Sequence, residues 1–487
     1  MWRRTTRWSR FNKGYDGPLF KHSPALIRWS AVLIPGALLY FLPLPGFTAP
    51  QRQLLAVFIA TILALMVRPA PMGVSVLIAM TLLALTGTIP ANRVLLGFSN
   101  QTVWLIFAAY LFARAITGTG LGMRVAYLLI RRFATTPLRL GYAVVSAGML
   151  VAPFVPSDTA RGGGVVFPVT RSLALAFDSE PGPTARKIGS FLMLTGFHGN
   201  YLASAIFLTS MAANPLIAQF AMKIAGIEIT WLGWLAGSCV PALFSLAAVP
   251  FFIHRWHRPG IQDTAPARSL AADRLRAMGP MSSRERGLVL ILFAVMFGWV
   301  ASPWHGIGNA FVALTGVCAQ LLSGLLQWDD LLGETKAWDV LLWFAPLIMM
   351  ADELNSGGVV KVVSEALFVH FHGLPWAAAL IALALIYFYI HYVFASMTAH
   401  TTALYPAFFT AALATGAPPM MAALSLAYFS NLNAGTTHYG TGSAPVFFGA
   451  GYVNEREWWR IGFLVSLVNV AIWLGVGGVW WKAIGLW

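Results

Sequence analysis

Long apolar runs recur along almost the whole chain, and they limit its fold more than any other feature of the sequence. A run of roughly 20 apolar residues is long enough for one helix to cross the hydrocarbon core of a membrane. Of the 487 residues, 58% are hydrophobic and only 10% are charged, whereas soluble domains carry about 25% charged residues. The sequence therefore predicts an all-α polytopic membrane protein, because helices satisfy their own backbone groups in lipid.

The formal net charge of +15 is concentrated in two stretches that flank apolar runs. We interpret 1–26 as a cytoplasmic basic N-terminus and 254–286 as a cytoplasmic basic linker, because Lys/Arg-rich flanks mark the cytoplasmic side. Binding of nucleic acid would require a basic face on a soluble domain, and we find no such domain. The first residues lack an apolar core, so we expect no cleavable signal peptide.

The linker divides the chain into two transmembrane repeats, 27–253 and 287–487, and each repeat contains a break in an apolar helix. The first break lies near 156–164 and the second near 395–402. The segment SDTAR at 157–161 recurs as SMTAH at 396–400. Two repeats with paired broken helices are typical of secondary transporters. We therefore predict two inverted repeats with paired re-entrant hairpins.

The residues at the two breaks suit an anion. A helix that begins at a break offers free N–H groups and a positive dipole end, and Ser and Thr hydroxyls add donors. Two such breaks would bind the carboxylates of a diacid from opposite sides, although each break could also be a hairpin turn without a ligand. The candidate binding residues at the breaks are Ser157, Asp158, Thr159, Ser396, Met397 and Thr398.

Arg161 and His400 occupy matching places in the two repeats. An ionised arginine inside a membrane is costly and by default marks a functional site. The alternative is that Arg161 pairs with Asp158 on the same helical turn, and that His400 is a buried histidine with satisfied hydrogen bonds.

Further candidates lie at a second polar interruption in each repeat. They are Asn200, Thr209 and Thr441, whose amide and hydroxyl groups suit contacts with a substrate or with helix ends.

The sequence gives no indication of a cofactor, a metal site or an enzyme. Its two cysteines lie in apolar runs and suggest neither a disulfide framework nor a zinc site. It contains no phosphate-binding loop of the type found in ATP-driven transporters. A membrane-embedded enzyme would need a clustered nucleophile and base, and the scattered histidines do not have such spacing.

Three segments together resemble the divalent anion/sodium symporter (DASS) family. PSDTARGGG at 156–164 is similar to the first Ser-Asn-Thr signature of that family, and THYGTGSAP at 437–445 is similar to its second-half segment. SNQTVWLIF at 99–107 also resembles it. The most similar branch contains bacterial citrate/succinate and tartrate/succinate antiporters and plastid 2-oxoglutarate/malate translocators.

The resemblance implies an antiporter of small di- or tricarboxylates such as succinate, malate, tartrate, citrate or 2-oxoglutarate. It also implies a homodimer in a bacterial inner membrane, with a scaffold domain and a transport domain that moves like an elevator. Ser157, Thr159, Ser396 and Thr398 would line the substrate site. Arg161 and His400 would stand where symporters of the family bind sodium, although a sodium-coupled symporter of the same anions remains the alternative.

The sequence departs from the family pattern at Asp158 and Met397, which replace the Asn of each signature. Both changes remove a neutral amide that would hold a carboxylate, and a carboxylate at Asp158 would repel an anionic substrate. The repulsion is avoided if Asp158 pairs with Arg161, if it is protonated, or if the substrate offers a donor there.

Overall fold

The computed structural model describes residues 25–371 and 373–487, and within these ranges the chain forms helices without any β-strand. The prediction of an all-α fold is confirmed. Most of the basic N-terminal stretch 1–26 lies outside the described residues, so its cytoplasmic location stays a prediction.

In the described part of the first half, ten helices up to the linker have ten or more residues. They are α1 (Ala25–Phe41), α2 (Ala49–Val67), α3 (Met72–Leu85), α4 (Gln101–Thr119), α5 (Leu121–Phe133), α6 (Pro137–Val151), α7, α8 (Gly189–Ile206), α9 (Ala213–Ala225) and α10 (Trp231–Trp256). Helix α7 is continuous but irregular, since Asp158–Arg161 leads through a π-helical turn at Gly162–Val166 into Phe167–Ala176.

The linker and the second half form the remaining long helices. They are α11 (Ala265–Met278), α12 (Ser283–Val300), α13 (Asn309–Leu322), α14 (Thr335–Ser356), α15 (Val359–Phe368), α16 (Trp376–Tyr389), α17 (Met397–Ala414), α18 (Pro419–Leu432) and α19 (Glu455–Ala471). Helix α19 continues through a π-helical turn at Ile472–Val476 into Gly477–Ala483.

Six helices in the described part of the chain are long and apolar enough to cross a membrane. They cover Ala49–Val67, Gln101–Thr119, Pro137–Phe154, Trp231–Trp256, Trp376–Val393 and Glu455–Ala483. Large apolar side chains also face outward, as on α12, where Leu290, Phe293 and Phe297 are 72%, 70% and 73% exposed. Such a surface is unfavourable in water and is expected against lipid tails. These features agree with a multi-pass membrane protein.

The basic linker is ordered rather than an extended connection. Its helix α11 packs against α5, and the Thr264 hydroxyl donates to the carbonyl of Ala134 at 3.0 Å. Arg124 of α5 forms a two-pronged ion pair with Glu285, with Nε–Oε1 at 2.6 Å and Nη2–Oε2 at 3.1 Å. Glu285 also completes a capping box with Ser282 at the start of α12. The linker is therefore fixed to the first half at both of its ends.

Candidate functional site

The first break is a sharp change from helix to extended chain and back to helix. After α6, a short 3-10 turn at Ala152–Phe154 leads into extended backbone at Val155. Ser157 then caps α7, because its hydroxyl accepts a hydrogen bond from the Ala160 N–H at 3.1 Å. The hydroxyl thereby satisfies one of the free N–H groups at the start of the helix.

The second break repeats this local structure. A 3-10 turn at Ile390–Val393 follows α16, the backbone is extended at Phe394, and the Ser396 hydroxyl accepts from the Ala399 N–H at 3.3 Å as the cap of α17. The recurrence of the same order of elements supports an internal repeat. The inversion of one repeat relative to the other stays a prediction.

The tips of both breaks meet at one cavity of about 150 Å³. Its lining includes most of the residues that the sequence singles out, namely Ser157, Asp158, Thr159, Ser396, Met397, Thr398 and Thr441. Gly442 also lines the cavity, and a β-carbon at this position would collide with the Thr159 hydroxyl. The two halves of the chain are therefore in close contact at the tips of the breaks.

Asp158 joins the two halves. Its carboxylate accepts hydrogen bonds from the Thr441 hydroxyl at 2.7 Å, from the Ser443 hydroxyl and from the Asn200 amide at 2.5 Å. One of its oxygens lies 4.0 Å from Nη2 of Arg161. These donors and the nearby cation favour the ionised form of the carboxylate, whereas its burial opposes ionisation. The distance to Arg161 agrees with the pairing that the sequence offers as one way to avoid repulsion of a substrate, and this pairing stays a prediction.

Arg161 lies behind the cavity and is fully buried. Its guanidinium donates to the carbonyl oxygens of Val155 and Ser210, both at 3.1 Å. It also donates to the side-chain and backbone oxygens of Asn200 at 3.1 and 2.7 Å and to the Ser204 hydroxyl at 2.6 Å. The guanidinium is thus enclosed by oxygen atoms, and Asn200 connects it to Asp158.

His400 takes the matching place behind the second break and is also fully buried. Its Nδ1 lies 2.8 Å from Nδ1 of His391 and 2.9 Å from Nδ2 of Asn433. His391 in turn donates from Nε2 to the carbonyl oxygen of Gly440 at 2.8 Å. His391 is therefore a hydrogen-bonded core residue, and it orients His400.

Asn200 and Thr209 do not line the cavity. Asn200 instead forms hydrogen bonds with Arg161 and Asp158. The Thr209 hydroxyl donates to the carbonyl oxygen of Pro153 at 2.6 Å and accepts from the Trp231 indole at 3.2 Å. Thr209 therefore fixes the chain ahead of the first break, and a role of either residue in binding a substrate stays a prediction.

A second wall of the cavity was not expected from the sequence. It consists of Arg68, Met72, Tyr110 and Trp343, which belong to the end of α2, the start of α3, α4 and α14. These residues are far from the breaks in the sequence, and an arginine that follows an apolar helix resembles an ordinary membrane flank. In the described part of the chain, we find no group of three His, Cys, Asp or Glu residues placed to hold a metal ion.

A polar cavity between paired broken helices in a multi-pass membrane protein is the arrangement of a secondary transporter. Residues 24–487 match the family model described as the sodium:sulfate symporter transmembrane region. The chain therefore belongs to this family, which is the divalent anion/sodium symporter family that the motifs resemble, and it is a transporter rather than an enzyme.

Individual relatives agree with this assignment. The chain is 44% identical over 454 residues to the putative malate transporter YflS of Bacillus subtilis (strain 168), with 93% of this chain and 95% of that protein covered. It is 42% identical over 476 residues to the chloroplastic dicarboxylate transporter 1 of Arabidopsis thaliana, with 95% and 86% covered. The solved structure of the Alcanivorax borkumensis YdaH transporter matches with a TM-score of 0.53 at 15% identity, over 80% of this chain and 87% of that chain. That last likeness concerns the fold alone.

Proposed function

We propose that the protein is a secondary antiporter that exchanges small dicarboxylates or tricarboxylates across the membrane. The observation that carries the proposal is the single cavity to which each break contributes a capped helix N-terminus and a Ser-X-Thr segment. Helix N-termini and hydroxyl donors suit carboxylates. The printed names of the two relatives, a malate transporter and a dicarboxylate transporter, support the same substrate class.

The size of the cavity favours the smaller members of this class. Its volume is about 150 Å³, and an engineered cavity of about 150 Å³ holds a molecule as small as benzene. Four-carbon acids such as succinate and malate suit this volume better than citrate. We therefore place four-carbon dicarboxylates first among the candidate substrates.

The surroundings of Arg161 favour exchange over coupling to sodium. Hard cations are bound by several oxygen ligands, and the oxygens that surround Arg161 already enclose its guanidinium. This fixed cation takes the place of a mobile one at the first break. The alternative, a sodium-coupled symporter, would need a cation site elsewhere.

We further propose an elevator mechanism. The breaks with their helices would form the moving transport domain, while the wall formed by α2, α3, α4 and α14 would belong to the scaffold domain. Membership of the family supports this division, a homodimeric assembly and a multi-pass location in a bacterial inner membrane with the N-terminus in the cytoplasm.

The test is exchange in proteoliposomes that contain the purified protein and internal radiolabelled succinate. We expect external succinate and malate to release the label, and acetate and citrate to release it weakly or not at all. Protein-free liposomes provide the background. Release by no dicarboxylate in the panel would overturn the proposed function.

A further inference from the structure

The second wall of the cavity contains a tryptophan whose N–H group is not used within the described part of the chain. Trp343 of α14 lines the cavity and is 6% exposed. Its indole Nε1 is buried, and no described residue accepts a hydrogen bond from it. An indole N–H can only donate, and a buried donor without an acceptor is unfavourable. A ligand in the cavity is one way to satisfy such a group.

Other buried tryptophans of this protein do have acceptors. The Nε1 atoms of Trp231, Trp234 and Trp481 each donate to a protein oxygen, at 3.2, 3.0 and 2.8 Å. Trp458 also has a buried Nε1 without an acceptor among the described residues, but it does not line the cavity. Trp343 is therefore the described tryptophan that combines an unpaired donor with a place in the wall of a polar cavity.

The backbone that carries Trp343 is closely packed. Helix α14 packs against α3 and α4, and it passes so near to Gly97 that a β-carbon there would collide with the carbonyl oxygen of Ala345. The helix is therefore held in place before a substrate arrives. A donor on such a helix loses little conformational freedom when it binds, which favours its use in recognition.

We propose that the Trp343 indole N–H donates a hydrogen bond to one carboxylate of the bound substrate. The cavity of about 150 Å³ is bounded by the breaks and by the second wall, so a four-carbon acid that fills it touches both. An acid with one carboxylate places it at the helix N-termini and hydroxyls of the breaks and leaves the indole unpaired. Trp343 thereby favours acids with two carboxylates. This inference rests on the proposed function and deepens it, because it names a residue that contributes to the choice of substrate class.

The experiment measures succinate exchange in proteoliposomes with Trp343→Phe, which keeps an aromatic ring and removes the donor. The matched control is Trp338→Phe. Trp338 lies on the same helix outside the lining of the cavity, and its Nε1 donates to the Leu331 carbonyl at 3.1 Å. We expect Trp343→Phe to raise the half-saturation concentration for succinate by about tenfold, and Trp338→Phe to leave it unchanged.

A second readout separates contact with the substrate from a merely structural role. Butyrate has the carbon chain of succinate with a methyl group in place of one carboxylate, so it should inhibit wild-type exchange more weakly than succinate. In Trp343→Phe the ratio of the two inhibition constants should fall by about tenfold, because only succinate loses a hydrogen bond. A structural defect would weaken both inhibitors equally and keep the ratio.

A wild-type ratio in Trp343→Phe would overturn the role of Trp343. If that variant does not fold, benzothienylalanine inserted at position 343 by nonsense suppression decides, because it has the ring shape of tryptophan with sulfur in place of the N–H. An unchanged ratio with this residue again overturns the proposal. Failure of the proposed function looks different, because the wild-type protein itself would then not exchange succinate.

Discussion

At the scale of single residues, the hydroxyls of Thr159 and Thr398 give the most direct test of the cavity. Valine keeps the size of threonine and removes the donor. A hydrogen bond to a charged group contributes about 1.5–3 kcal/mol, so Thr159→Val and Thr398→Val should each raise the half-saturation concentration for exchange by about tenfold or more.

Thr402 provides the control for these two variants. It lies one turn after Thr398 in α17, is buried, and donates its hydroxyl to the Thr398 carbonyl at 2.8 Å. Thr402→Val should leave substrate affinity unchanged. Wild-type half-saturation in both cavity variants would mean that these hydroxyls do not contact the substrate.

Asp158 has a different expected effect, because its carboxylate belongs to a network. Asp158→Asn restores the residue of the family signature, but it leaves the buried guanidinium of Arg161 without its anion. It also replaces one carboxylate oxygen, which accepts hydrogen bonds, by an NH2 group, which donates them. Breaking a buried ion pair costs about 3–5 kcal/mol. We expect a clearly lower unfolding temperature in detergent and no tighter binding of succinate.

The control for this prediction is Asp273→Asn, which removes one partner of the exposed pair with Arg276 and should change stability little. An unchanged unfolding temperature for Asp158→Asn, together with tighter binding of succinate, would show that Asp158 repels the substrate instead of pairing with Arg161.

The residues also differ in how well the sequence could predict their roles. Ser157 and Ser396 were predictable, since a cap residue after an interrupted apolar run marks a helix start. Asn200 and Thr209 lie outside the lining of the cavity in this structure, so their contact with a substrate stays a prediction. A polar residue inside a membrane can face a ligand or another side chain, and only packing distinguishes the two. Arg68 was missed, since nothing in its local sequence indicates that α2 ends beside the breaks.

At the scale of elements, the linker is the part whose structure the sequence predicted least. Its basic composition suggested a membrane flank, whereas it contains α11 and is fixed to α5 by the ion pair of Arg124 with Glu285. Burial acts to raise the pKa of Glu285, but the hydrogen bonds from Arg124 and Ser282 outweigh it, so the pKa is lowered from its ordinary value of 4.5.

This pair predicts a pH-dependent contribution to stability. A carboxylate with a lowered pKa in the folded state stabilises the protein above its unfolded-state pKa, and the stabilisation is lost as pH falls through the lower folded value. Glu285→Gln should therefore reduce the unfolding temperature at pH 7 and have a much smaller effect near pH 3.

The measurement is thermal unfolding of both proteins in detergent across this pH range. Glu365→Gln is the control, because Glu365 has only an exposed partner, Lys361, at 3.9 Å. An equal difference between wild type and Glu285→Gln at both pH values would contradict the assignment of the ion pair as its source.

At the scale of the whole molecule, the apolar runs predicted the helical membrane fold correctly, because within lipid a helix satisfies its own backbone hydrogen bonds.

The direction in which the chain crosses the membrane is predicted from the basic stretches rather than from packing, and cysteine labelling tests it. Ser269 lies exposed on α11 and Trp487 is exposed at the C-terminal end. In a background with Cys239→Ser and Cys318→Ser, cysteines introduced at these positions should react with a membrane-impermeant reagent from opposite sides, with the linker inside the cell. Labelling of both from the same side would contradict the proposed topology.

The proposed coupling mode is also a property of the whole molecule, and its support lies behind the first break. There the oxygen atoms that could bind a sodium ion enclose the Arg161 guanidinium. On the proposed mechanism, replacing sodium by potassium should leave the exchange rate unchanged. When the cavity is empty, the helix N-termini and hydroxyls of both breaks lack an anion. Moving these unsatisfied donors past apolar parts of the protein is unfavourable. A bound dicarboxylate accepts hydrogen bonds from them each time the transport domain moves, which removes that cost. Uptake of labelled succinate should therefore require an internal dicarboxylate. The comparison is uptake into liposomes with and without internal succinate, each with an inward gradient of sodium or of potassium. Robust uptake into empty liposomes driven by the sodium gradient would overturn antiport and establish the symporter alternative.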